Sequence, residues 1–268
     1  MSDPGAPGSR ARPAAGSLVD GARLALTTFS VLPLRAGRVD RASAGVAMAG
    51  APLVGGLLGA VLAGVALGLR ELAAPALVLG AATVALGLAL TRGLHIDGLA
   101  DTVDGLGSYA DRDRALQITK SPEVGPFGVA AIVLSLLVQA AGVAALAGRP
   151  ATAALVGIVV ATATGRLAVA WACRRGVPAA RPEGLGALVA GTVGVASAVA
   201  GTLAVAALAV LAVPARPWQG PLAVLLAVGG SALVRRHAVR RLGGITGDVL
   251  GALVEVATGV AYLVLVLG

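Results

Sequence analysis

The residues best placed to do chemistry are acidic and regularly spaced. Asp97, Asp101 and Asp104 fall at i, i+4 and i+7, which places all three on one face of a helix. Like charges on one stripe repel one another, so two readings stand: a solvated helix face, or a site for a hard cation. The interleaved Leu94, Ile96, Leu99, Val103 and Leu106 follow directly on an apolar run and favour the cation. Magnesium takes one or two carboxylates and leaves its other positions to water and phosphate. His95, just before the stripe, is a general base or a structural histidine. A second acidic element pairs Asp248 with Glu255, again seven apart. Asp248 is a metal ligand or a helix N-cap. Glu255 lies about two turns inside an apolar run, where a lone carboxylate is costly. It either pairs with Arg166, buried in another apolar run, or leaves Arg166 to grip a substrate phosphate bidentately. The sequence contains no Walker loop, dinucleotide fingerprint, zinc spacing or nucleophile elbow.

The elements that carry these residues are membrane helices. Of 268 residues, 57% are hydrophobic and 13% charged, and the mean hydropathy is +0.90. A soluble domain carries about 25% charged residues, and so apolar a chain cannot cover a soluble surface with polar groups. Disorder is excluded by the same surplus, and a disulfide scaffold by a single cysteine, Cys173. The expected fold is all-α: a polytopic integral membrane helical bundle in the lipid bilayer. About seven transmembrane helices are predicted, over Val46–Leu69, Leu72–Thr91, Phe127–Ala147, Ala151–Cys173, Gly186–Val213, Trp218–Val234 and Val249–Leu267. Gly186–Val213 is overlong and open to a break at its glycines; Trp218–Val234 is short. Residues 1–17 read as a disordered tail without the apolar core of a signal peptide, and Leu18–Leu34 as a stretch lying at the interface. Residues 18–268 form a single transmembrane catalytic domain whose acidic motif spans 92–128.

Net charge is +8 and the pI about 11.3. Aromatic residues are 2%, too few for base stacking, so nucleic acid is not the expected partner. The basic residues instead report topology. Seventeen lie in alternate loops and three (Arg70, Arg149, Arg216) in the others, which predicts a cytoplasmic N-terminus and an external C-terminus. The acidic motif then faces the cytoplasm. Oligomeric state is left open, a homo-oligomer included.

The stretch Gly93–Leu106, GLHIDGLADTVDGL, resembles the signature of the adenosylcobinamide-GDP ribazoletransferase (cobalamin synthase) family. Other segments agree in order. Leu26–Pro33 and Pro52–Gly59 resemble the family's first segments, Arg166 its middle-span arginine, and Arg181–Gly186 its R-x-E-G-L-G loop. Gly247–Ala252 with Glu255 resembles its terminal G-D-V-L-G-A…E element. One departure stands out. Where the family reads M-K-D-S-R-x-G-x-x-G, this chain has Thr119-Lys120-Ser121-Pro122-Glu123-Val124-Gly125-Pro126-Phe127-Gly128. Lys120 and both glycines are kept; the aspartate and arginine are replaced.

The resemblance implies a magnesium-dependent transferase of the cytoplasmic membrane. A hydroxyl of alpha-ribazole, or of its 5′-phosphate, attacks adenosylcobinamide-GDP, and GMP leaves. It implies catalytic roles for Asp97, Asp101, Asp104 and His95, and substrate contacts from Lys120, Arg166, Arg181 and Glu183. Metal ligands would come from Asp97, Asp101, Asp104, Asp248 and Glu255. Two other classes fit less well. The CDP-alcohol phosphotransferase pattern begins as Asp101–Gly105 does, but Ser108 and Tyr109 replace its Ala-Arg and its downstream aspartates are absent. A transporter could use Glu255 and Arg166, but does not need three aspartates on one stripe.

Overall fold

The computed structural model describes residues 15–35 and 37–267. The tail expected over residues 1–17 lies mostly outside them, and its last three residues already belong to the first helix. Eleven helices are described: α1 Ala15–Phe29, α2 Arg41–Glu71, α3 Ala76–Thr91, α4 Leu94–Gly107, α5 Arg112–Ile118, α6 Pro126–Ala147, α7 Ala151–Ala172, α8 Gly184–Val189, α9 Val195–Ala209, α10 Gln219–Leu242 and α11 Gly247–Val266. Among the described residues there are no strands, only isolated bridges Arg174↔Val193 and Ala179↔Ile245. The chain is a helical membrane protein.

Five helices (α2, α6, α7, α10, α11) are long and apolar enough to cross a bilayer, and α3 with α4 makes a sixth if the bent pair is one span. The expected number was about seven, and the difference lies in two places. Gly186–Val213 divides: Gly191 adopts φ +73° and Gly194 starts a new helix, leaving α9 with 15 residues, about 22 Å at helical rise. The chain also breaks between α3 and α4, which stand at 90°. Arg92 (φ 56°) ends α3 and Gly93 (φ 65°) starts α4, both left-handed. That conformation suits glycine and turns the corner in two residues. α4 therefore does not continue the crossing direction of α3, and we read it as lying outside the spans.

Other boundaries shift for local reasons. The second span starts at Ala76 rather than Leu72, because Pro75 N-caps the helix and disfavours helical backbone in the residue before it. α10 runs eight residues past Val234. Its arginines favour helix and are anchored, Arg235 Nη1 to the Trp171 carbonyl at 2.8 Å and Arg241 Nη2 to that of Ala110 at 2.9 Å.

α7 is the central helix, with 89% of its span window buried. It packs on α2, α11, α9 and α10, and α11 in turn packs on α4 and α6. Arg166 thus sits on the innermost helix, and the acidic elements of α4 and α11 meet at one end. At the opposite end Arg70 Nη1 donates to the Ala147 and Arg149 carbonyls.

Candidate active site

Close backbone approach brings the two acidic elements together. A Cβ on Gly98 would lie 2.7 Å from the Asp248 carbonyl oxygen, and one on Gly251 3.0 Å from that of His95. Only glycines allow α4 and the start of α11 to touch there, and the contact sets Asp97 and Asp101 beside Asp248. The loop before α8 joins them. Ala180 N donates to the Ile245 carbonyl at 3.0 Å and Ile245 N to that of Pro178 at 2.9 Å. Arg41 pins α8 and its C-cap through the carbonyls of Ala187 and Ala190, both at 2.6 Å. A cavity of about 300 Å³ results, lined by Phe29, His95, Asp97, Arg181, Glu183, Thr246 and Asp248 among others.

Charge is concentrated at its rim. Asp97 is exposed and Asp101 half-buried. Burial first, then the charges of Asp97, Asp248 and Asp104, push Asp101 up to about 6. Asp248 feels the opposite charges of Arg181 and Lys120 and the like charge of Asp97. Arg181 itself is anchored on α5, donating to the Leu116 carbonyl at 2.6 Å and to Thr119 Oγ1 at 2.7 Å. Glu183 is exposed at the start of α8. The N-cap reading of Asp248 is replaced: Thr246 Oγ1 accepts from Val249 N at 3.2 Å and also donates to Asp248 Oδ2 at 3.2 Å. Asp248 is in the first turn, with its carboxylate turned to the cavity group.

The predicted site residues Asp104, Arg166 and Glu255 do not line this cavity. Asp104 faces α6: its Oδ2 accepts from Gly125 N at 2.7 Å and its Oδ1 from Gly128 N at 2.8 Å. Those are the two glycines kept in the altered motif. Glu255 is buried in the bundle, where its Oε2 accepts from Gln139 Nε2 at 2.6 Å and Ser135 Oγ at 2.9 Å. The Arg166–Glu255 ion pair is not formed; among the described residues the ion pairs are Arg38–Asp40 and Arg70–Glu71. Arg166, Glu255, Gln139, Thr258 and Tyr262 line a separate cavity of about 40 Å³. His95 lines both cavities. Its ring stacks on Phe29 at 5.9 Å between centroids, and burial, with Arg166 second, holds its pKa well below the usual histidine value. His95 Nε2 and Arg166 Nε are buried without a hydrogen-bond partner among the described residues.

Sequence reasoning missed Phe29, Thr246, Ser135 and Gln139. The last two carried a signal: polar residues four apart in an apolar span, the spacing that faces one neighbour helix.

The donor set fits magnesium in type rather than as a finished cage. Among the described residues no three His, Cys, Asp or Glu side chains already converge tightly enough to hold a metal. Asp97, Asp101 and Asp248 nonetheless come together at this end of the bundle, where the charges of Asp97 and Asp248 bear on Asp101. Magnesium suits such a rim, because it completes its shell with water and phosphate oxygens.

The geometry can be set beside known proteins. A family model described as Cobalamin-5-phosphate synthase matches residues 21–266. An adenosylcobinamide-GDP ribazoletransferase of Frankia casuarinae is 42% identical over 265 residues, covering 91% of this chain and 93% of the relative. One from a Nocardioides species is 41% identical, with 91% and 97% covered. One from Pseudomonas savastanoi pv. phaseolicola is 34% identical, with 91% and 98% covered. No solved structure matches. With the match running from α1 to the last turn of α11, the chain belongs to the cobalamin-5-phosphate synthase family.

Proposed function

We propose that the cavity between α4, the α8 loop and the start of α11 is where this chain joins adenosylcobinamide-GDP to alpha-ribazole. The joining activity is that of the family, a late step of cobalamin biosynthesis. One observation carries the placement. Three segments far apart in sequence, Leu94–Asp97, Arg181–Gly186 and Thr246–Asp248, line a single cavity at one end of the bundle. At about 300 Å³ it is at the small end of ligand pockets, a size for the reacting phosphates and a nucleoside rather than a corrin ring.

In the reaction a ribose hydroxyl of alpha-ribazole, or of its 5′-phosphate, attacks the cobinamide-side phosphorus. The bond from that phosphorus to the GMP oxygen breaks. Asp97, Asp101 and Asp248 would hold magnesium, which when bound offsets negative charge on the pyrophosphate. Arg181 and Lys120 supply positive charge to phosphate oxygens at the same rim. The hydroxyl proton needs an acceptor, and we assign that role to the His95 ring, which lines the cavity beside the carboxylates of Asp97, Glu183 and Asp248. Arg166 acts behind it as a positioning residue, on the innermost helix.

The topology expected from the basic residues fits this reading. Arg70 and Arg149 meet at the end away from the acidic rim, which supports a cavity on the basic, cytoplasmic side of the cell membrane. The deciding experiment uses purified protein in liposomes with adenosylcobinamide-GDP, alpha-ribazole and magnesium, following GMP release. Turnover that stops with chelator is expected. GMP release that survives Asp97→Asn, Asp101→Asn and Asp248→Asn alike would place the reaction elsewhere.

A further inference from the structure

A second concave surface lies at the same end of the bundle, between the loop after α7 and the last turns of α10. Arg174, Arg235, Arg236 and Arg240 line a groove of about 540 Å³, with Val177, Pro178, Leu233 and Val239 as its apolar walls. It shares no lining residue with the acidic cavity. Its position is fixed by cross-links: Arg235 holds the Trp171 carbonyl, and Arg112 Nε holds that of Leu242 at 3.0 Å.

Two features make this more than a basic loop. First, no carboxylate lines the groove, and none of its arginines belongs to the ion pairs found among the described residues. Arg174 and Arg235 stand close enough for their charges to repel. Four positive charges converging on one concavity without a counter-charge are unfavourable unless an anion joins them. Second, the groove opens where α10 turns from apolar to basic. Leu225 is 57% exposed, Leu226 48% and Leu233 70%, a face suited only to acyl chains. Arginine follows directly along the helix, at Arg235, Arg236 and Arg240.

We propose that this groove binds the phosphodiester of an anionic glycerophospholipid, its acyl chains lying along Leu233 and the outer face of α10. Basic pockets between transmembrane helices on the cytoplasmic side select such head groups. A soluble nucleotide would gain nothing from the apolar wall, and the groove has no carboxylate to share a metal with a pyrophosphate. The lipid tethers α7 to α10, and α10 leads through Gly243 into Thr246 and Asp248 of the acidic cavity.

The test is native mass spectrometry of the full-length protein, purified in detergent and exposed to equal phosphatidylglycerol and phosphatidylcholine. Wild type is expected to keep phosphatidylglycerol in about tenfold preference, since each arginine near the surface strengthens anionic lipid binding severalfold. R174Q/R236Q/R240Q should lose that preference, while R23Q/R35Q/R38Q, which removes equal charge elsewhere at the same end, should keep it. In parallel, wild type in phosphatidylglycerol nanodiscs should melt higher than in phosphatidylcholine, a readout that needs no variant. The proposal is overturned by equal retention of the two lipids, by equal loss in both triple variants, or by an unchanged melting temperature. Displacement of the lipid by millimolar phosphate or GDP would overturn it as well, making the groove a soluble-anion site.

Discussion

Asp104 Oδ2 accepts the backbone N–H of Gly125 at 2.7 Å. Together with the Oδ1 bond from Gly128, this spends both carboxylate oxygens on the first turn of α6, whose N-cap, Gly125, has no side chain to offer. The carboxylate also suits the positive end of the helix dipole. Asp104 is thus the cap of a membrane helix that lies far along the chain.

Asp104→Asn replaces one of these two oxygens by an NH₂ group. A loss of about 1–3 kcal/mol in stability is expected for one half-buried charge-assisted bond, read as a lower melting temperature in detergent. The magnesium concentration for half-maximal turnover should stay near the wild-type value. A large rise in that concentration would return Asp104 to the metal site.

Asp97→Asn, Asp101→Asn and Asp248→Asn should behave differently. Each removes a charge at the rim while keeping shape, and a loss of about 3–4 kcal/mol at the transition state is a fall of several hundredfold in turnover. GMP release across a magnesium titration measures both terms. Asp111→Asn is the control. Asp111 caps α5 through Arg114 N, and asparagine caps as well as aspartate, so turnover should be unchanged.

The repulsion around Asp101 has a pH signature. Its carboxyl titrates near 6 in the fold against about 4 when unfolded. A raised acid pKa means that the folded state binds the proton more tightly, so stability falls as pH rises from about 4 through 6. Asp101→Asn should therefore raise the melting temperature at pH 7.5 and change it little at pH 4. Magnesium should raise the wild-type value at pH 7.5 and act less on the variant. An identical melting profile for both proteins at the two pH values contradicts the charge cluster.

Arg166 and Glu255 line one small cavity without pairing, because Gln139 and Ser135 hold the carboxylate. Arg166→Met is expected to abolish turnover while the protein still inserts. Gln139→Leu leaves Glu255 short of a partner and should cost about 1–3 kcal/mol of stability. Coupling of about 0.5–3 kcal/mol is expected between Arg166→Met and Glu255→Gln. Strict additivity in a double-mutant cycle separates the two residues.

Orientation is testable with fusions. The distribution of arginines predicts an external C-terminus, so a C-terminal phosphatase should be active outside the cytoplasm and a fluorescent protein at the same place should stay dark. The reverse pattern, with the N-terminus inside, would mean an even number of crossings, one fewer than the seven expected, and would weaken the placement of Glu255 within a span.

Composition alone determined that this chain is a helical membrane protein, since no soluble surface can be made from so few charged residues. The acidic stripe and its partner near Asp248 were legible too, because residue type and spacing are local properties; the loop Arg181–Gly186 was marked by the family resemblance. What only the tertiary structure decided is which of these residues meet. Asp104 and Asp97 share a helical face, yet one caps α6 and the other rims the cavity, because a 14-residue helix presents its two ends to different neighbours. Glu255 and Asp248 share a face of α11, yet about two turns of rise put one at the rim and the other in the bundle core. The 90° corner at Arg92–Gly93 was hidden for a similar reason, whereas the break at Gly191–Gly194 was signalled by the overlong, glycine-containing run. Hydropathy registers how apolar a segment is, whereas direction depends on backbone angles that two residues can reverse.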